Sequence, residues 1–184
     1  KPYFIFFDEA REEYWRYELT QLDTDGEKDG KKQLKGAEEV VPAYEITGSR
    51  MNNFTPGNLN TIVYSSWFTT NYIFYAEGGT VYRYSVVNGD KTPLYTAPAG
   101  YEITLLKFRT EDSNNFSDNL GRWLSIGMEK EDCGAVAEIL LNTASDVDKD
   151  TPVLFYDKDS DGNSFGKIKD LQFTQIYMYM VPTY

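Results

Sequence analysis

One arrangement recurs three times along this chain: an aromatic-rich apolar run, a short polar link and a second apolar run. Tyr3-Phe4-Ile5-Phe6-Phe7 followed by Tyr14-Trp15-Arg16-Tyr17 matches Tyr72-Ile73-Phe74-Tyr75 followed by Val81-Tyr82-Arg83-Tyr84. A fainter copy runs from Trp123-Leu124-Ser125-Ile126 to Val136-Ala137-Glu138-Ile139. Downstream, Phe165-Gly166-Lys167-Ile168-Lys169-Asp170-Leu171-Gln172-Phe173 echoes Gly100-Tyr101-Glu102-Ile103-Thr104-Leu105-Leu106-Lys107-Phe108. Self-similarity of this kind marks an array of one repeated supersecondary unit, and it restricts the fold more than any other feature. Each unit reads as strand, tight turn, strand, loop, short strand, loop, strand, with expected limits of 1–60, 61–110 and 111–184. Glu77-Gly78-Gly79 and Asn88-Gly89-Asp90 are the clearest turns, because Gly and Asn tolerate the positive φ of tight hairpins.

The pattern inside the runs selects between sheet architectures. A strand with one wet face alternates apolar and polar residues. Phe4 to Phe7, Ile73 to Tyr75, and Leu105-Leu106 with Phe108 do not alternate, so both faces are expected to be covered. A two-sheet sandwich leaves an outward polar face on its strands. Sheets stacked face to face around an axis do not. The expected fold is all-β: an incomplete β-propeller, or propeller-like stack, of about three antiparallel blades in a single domain over 1–184. Asp8 to Leu22 and Ala135 to Leu141 have helix-compatible composition, but both align with hairpins elsewhere and are read as strand. Asp23 to Gly36 is polar and glycine-containing and reads as a long exposed hairpin loop.

The run Asn71-Tyr72-Ile73-Phe74-Tyr75, Val81-Tyr82-Arg83-Tyr84 and Leu94-Tyr95-Thr96-Ala97-Pro98-Ala99-Gly100-Tyr101, continuing to Phe108, resembles the C-terminal propeller-like region of PKD-like family lipoproteins. Phe165-Gly166-Lys167-Ile168-Lys169-Asp170 is similar to that family's last-strand signature. The match covers roughly 60–180, and its motifs are structural. The resemblance implies an exported lipoprotein of Gram-negative anaerobes, lipid-anchored at the outer membrane or cell surface. It further implies an Ig-like domain ahead of the blades and an association with nutrient importers of the SusC/SusD type. The anchoring cysteine and the Ig-like part are not among these 184 residues.

Composition removes several functions. There is no histidine and one cysteine, Cys133. Ser-His-Asp and Cys-His nucleophiles, His-ligated metals and internal disulfides are therefore excluded within the chain. Cys133 follows Asp132, whose charge disfavours a thiolate. Net charge is −11, from 18 Lys and Arg against 29 Asp and Glu, which argues against nucleic acid and anionic lipid as partners. No run reaches the roughly 18–20 apolar residues of a spanning helix. The start at Lys1-Pro2-Tyr3 reads as a chain with something upstream removed.

The sharpest local motif is Asp157-Lys158-Asp159-Ser160-Asp161-Gly162-Asn163. Alternating aspartates followed by a turn-permitting glycine resemble the opening of a Ca²⁺ loop, with Asp157, Asp159 and Asp161 as side-chain ligands and Asn163 giving a carbonyl. The EF-hand pattern wants Glu at position 12, where Ile168 stands. The bland alternative is an acidic turn between strands. Asp146-Val147-Asp148-Lys149-Asp150 lacks the glycine and reads as a loop. Trp67, Phe68, Tyr101 and Trp123 are candidates for stacking on a glycan or peptide, against the commoner use of aromatics in cores. Lys28, Lys31, Lys32 and Lys35 read as an exposed loop. Glu77-Gly78-Gly79-Thr80 lacks the lysine of a phosphate loop. With 29 acids and no positional motif, no glycosidase pair can be chosen.

Three units fall short of the four or so blades that propellers use to close. Their end faces would be apolar and exposed, which marks interfaces. The expectation is a non-enzymatic binding module needing no cofactor, covered by a protein partner or further domain and serving a nutrient-uptake assembly. The alternatives are a surface adhesion protein with a calcium-stabilised loop and a carboxylate-dependent glycan or peptide hydrolase.

Overall fold

A computed structural model describes residues 3–21, 31–33, 40–42, 44–65, 68, 71–109, 122–173 and 178–182. Among them there is no α-helix; the regular elements are strands and a 3-10 turn, Leu59–Thr61. The fold is all-β, and every strand pairing is antiparallel. The chain divides into two compact units, Lys1–Phe54 and Thr55–Tyr184.

In the first unit, β1 (Tyr3–Asp8), β2 (Glu13–Gln21) and β5 (Tyr44–Arg50) form a sheet in the order β1-β2-β5. The short pair β3 (Lys31–Gln33) and β4 (Val40–Pro42) is inserted between β2 and β5. Part of the expected polar loop is thus a strand, while residues 22–30 and 34–39 lie outside the described residues. Aromatic contacts dominate: Phe6 stacks on Tyr17 at 5.3 Å, Phe7 meets Tyr14 at 5.0 Å, and Tyr14 stands edge-on to Phe54 at 5.2 Å. The expectation that Phe4 to Phe7 are covered on both faces is corrected. Phe4, Phe6 and Phe7 keep 61, 39 and 41% of their surface exposed, because β1 is an edge strand of its sheet.

The second unit is layered. One sheet runs β6 (Ile62–Val63), β7 (Tyr72–Glu77), β8 (Thr80–Ser85), β9 (Lys91–Thr96). The next runs β10 (Glu102–Phe108), β11 (Trp123–Lys130), β12 (Cys133–Leu140), β13 (Leu154–Tyr156). A hairpin of β14 (Ile168–Phe173) and β15 (Met178–Pro182) follows. Phe74, Ala76 and Val81 of the first sheet share one buried cluster with Leu106, Phe108, Leu124, Ile126 and Met128 of the second. The opposite face of the second sheet, at Leu105 and Val136, packs with Phe165, Ile168 and Leu171. That middle sheet is covered on both sides, so β11 and β12 bury nearly every residue and show no alternation. Apolar burial on this scale stabilises by roughly 25 cal/mol per Å² removed from water.

The sheets do not follow the expected limits at the second junction. β10, read as the last strand of 61–110, is hydrogen-bonded to β11 and opens the following sheet. Its bulge between Ile103 and Leu105 carries the strand past one residue, so that Ile103, Leu106 and Phe108 all reach the same core. β14 repeats the device: its register shifts between Ile168 and Asp170 as it pairs with β15. The aligned arginines also take equivalent places. Arg16 lies opposite Ser49 and donates to its hydroxyl at 2.9 Å, while Arg83 lies opposite Thr92 and donates to its hydroxyl at 3.3 Å.

Candidate functional site

The acidic loop is built around Asp159. Its Oδ1 accepts the backbone N–H groups of Asp161 and Asn163, both at 2.9 Å, and its Oδ2 accepts the Asn163 side-chain amide at 3.2 Å. Gly162 sits at φ +84°, which glycine adopts without penalty, and its N–H donates to the Asp159 carbonyl at 3.1 Å. The backbone N–H of Asn163, then its side-chain amide, hold the Asp159 carboxyl below the usual aspartate range. The carboxylate therefore closes the turn itself. Among the described residues, no three acidic or cysteine side chains are gathered as a metal-holding group. Asp146 and Asp148 of the second acidic run pair instead with Arg83 at 2.9 Å and Arg122 at 3.8 Å.

The four aromatic candidates are not brought together. Trp67 lies outside the described residues. Phe68 is buried, 5.5 Å from Phe74 and 6.1 Å from Phe108, and serves the core. Tyr101 precedes β10 at the end where Glu102 pairs Glu129, whereas Trp123 begins β11 at the opposite end. At about 3.3 Å per residue, they stand roughly 20 Å apart along the sheet. Of the lysine cluster, Lys31 and Lys32 lie on β3, and Lys28 and Lys35 lie outside the described residues.

Tyr101 does have company. Phe155 of the edge strand β13 meets its ring edge-on at 6.0 Å, and the Lys130 ammonium stands 5.8 Å from its centroid. Val153, Phe155 and Tyr156 are all exposed. Burial, then the Asp157 charge and Cys133, raise the Tyr101 phenol above its ordinary value, which keeps it a neutral hydrogen-bond donor. This apolar patch with one cation and one carboxylate at its margin has the make-up of a contact surface.

Two polar clusters were not legible beforehand. Glu138 on β12 is 1% exposed. Arg109 grips both its oxygens, Nε to Oε1 at 3.1 Å and Nη2 to Oε2 at 2.6 Å, and the Ser125 hydroxyl donates to Oε1 at 2.8 Å. The guanidinium also lies 4.9 Å over the Trp123 ring. A carboxylate so occupied ties three neighbouring segments together. Its one sequence signal was a single acid in the run Ala135-Val136-Ala137-Glu138-Ile139-Leu140. In the other sheet, Lys91 pairs with Glu77 at 2.7 Å beside the buried Tyr75. The Lys91 hydrogen bond lowers the Glu77 carboxyl, and burial pushes the Tyr75 phenol up to about 12.

In comparisons with known proteins, no family model, curated protein or solved structure matches this chain.

Proposed function

We propose that this chain is a non-enzymatic interaction module built on propeller-like blades. The observation that carries the reading is the division of its surface chemistry. The acids at Glu77, Glu138, Asp159 and Asp170 are each engaged in ion pairs or hydrogen bonds. Large apolar side chains meanwhile face solvent on two edge strands, Phe4, Phe6 and Phe7 on β1 and Phe155 and Tyr156 on β13. Exposed apolar surface next to unpaired strand edges favours a partner. The blade reading is supported by a repeated strand order: β6-β7-β8-β9 and β10-β11-β12-β13 are each four antiparallel strands taken in chain order. The accessory role beside an outer-membrane importer, with lipid anchoring outside these residues, rests on the resemblance to PKD-like lipoproteins and is part of the proposal.

Affinity capture from gently solubilised native membranes tests this reading, with hydrogen exchange measured on the complex. Protection confined to β1 or β13 is the expected result. A complex leaving both edges unprotected would remove the reading, as would glycan or peptide hydrolysis abolished by substituting a single carboxylate. Calcium at Asp157, Asp159, Asp161 and Asn163 is tested by thermal midpoints in millimolar Ca²⁺ and in chelator. Because Asp159 already closes the turn, the midpoint is expected to stay put, and a rise with Ca²⁺ would place the ion there.

A further inference from the structure

Two sheets of this chain repeat one strand order, and β1 has an equivalent place in it. β7 and β11 are the second strands of their sheets, flanked by β6 and β10 on one side and by β8 and β12 on the other. β1 aligns with β7 and β11 in sequence and pairs with β2 as they pair with β8 and β12. On the side where β6 and β10 stand, β1 has no partner among the described residues. Among the described residues that side carries little to guard it: the β9 edge has Pro93 within it and Lys91 at its end, whereas β1 has no proline and a single charge, Asp8, at its end.

We propose that the open side of β1 receives an extended strand from a partner protein, antiparallel to β1, by strand addition. This rests on the interaction-module reading above and names the kind of partner it requires. The chain shows the occupant's chemistry in its own equivalents. Ile62 and Val63 of β6, Ile103, Leu106 and Phe108 of β10, and Ile168 and Leu171 of β14 are β-branched, aliphatic or aromatic. Direction follows from β10, which begins beside Glu129 and ends beside Leu124. The incoming strand accordingly begins beside Asp8. There the turn Asp8-Glu9-Ala10-Arg11-Glu12-Glu13 holds four acids and one arginine, with Glu9 and Glu12 exposed. On a chain of net charge −11, that end selects Lys or Arg at the start of the partner strand.

The probe is a synthetic peptide of residues 101–109 preceded by two lysines, with hydrogen exchange read across the whole chain. Expected is slowing of about tenfold or more at those amides of 3–8 that point away from β2, and weaker binding without the lysines. Phe6→Lys, at a half-exposed position and with its fold checked by circular dichroism, should weaken binding about tenfold. Unchanged exchange at 3–8 in about 1 mM peptide overturns the proposal. So does protection of the outward-pointing amides before any peptide is added, which would mean that the chain covers its own edge. A dimer in sedimentation that Phe6→Lys dissolves also overturns it, by placing a second copy there. If the peptide fails while native capture persists with Phe6→Lys, strand addition falls and the module reading stands. If capture shows protection at neither edge, the module reading falls.

Discussion

Glu138 is the single charged residue buried among the described ones, and Arg109 with Ser125 satisfies it. Removing one partner of such a pair leaves the other desolvated and unmatched, at roughly 3–5 kcal/mol when both are fully buried. Arg109 keeps 26% of its side chain exposed, so Glu138→Gln is expected to destabilise by about 2–3 kcal/mol in urea unfolding. Loss of less than about 0.5 kcal/mol would mean that the pair is solvated and adds little. Acid provides a second test. The lowered groups are Glu77, held down by Lys91; Asp159, held down by Asn163; and Asp170, where burial is outweighed by Gln172, the Leu171 N–H and Lys107. Carboxyls lowered in the folded state stabilise it above their ordinary range near pH 4, and that stability is lost as pH falls through their folded values. The unfolding midpoint should therefore decline below about pH 4. A midpoint flat to pH 2 would show that these contacts do not persist in solution.

At the scale of elements, Gly134 sets how closely the β14–β15 hairpin approaches the middle sheet. Its N–H donates to the Phe165 carbonyl at 3.0 Å, and a Cβ there would come within 2.8 Å of Ile168 Cγ1 and closer still to the Gly166 carbonyl. Gly134→Ala is expected to cost about 1–3 kcal/mol and to speed hydrogen exchange in 165–173 selectively. Gly162→Ala, with open space around it but φ +84°, should cost about 1–2 kcal/mol and leave 165–173 unaffected. If both act alike, the close approach at Gly134 is not what holds the hairpin. The strands were largely legible because apolar runs and Gly turns fix period and punctuation locally. β12 could be told from a helix by its alignment with the other hairpins. Less was legible where neighbours decide. Phe4 to Phe7 read as covered because an unalternating run looks the same whether or not anything lies against it. β10 was assigned to the wrong sheet because pairing partners leave no local mark. Of the site candidates, Asp159 reads from sequence as a Ca²⁺ ligand with an acidic turn as the alternative, and only the folded loop shows its carboxylate closing the turn; the tie between Arg109 and Glu138 joins residues 29 positions apart and has no motif.

For the molecule as a whole, the two units set the terms. Thr55–Tyr184 holds the continuous core from Phe74 to Leu141 and the second cluster at Val136, Ile168 and Leu171. A fragment of residues 55–184 is therefore expected to unfold cooperatively in urea, with a single transition shared by tryptophan fluorescence and far-ultraviolet dichroism. Non-coincident curves would show that its layers do not form one cooperative unit. Apart from the small pair inserted after β2, every sheet is assembled from strands consecutive along the chain. Each sheet's ladder can thus close as its own segment becomes available, without waiting for a distant strand, and closure entropy grows only slowly with the length of the intervening loops. Such a chain has a low contact order for an all-β protein, which predicts folding nearer milliseconds than seconds. It also suits vectorial emergence from a ribosome, where each ribbon can pair as soon as its neighbour follows.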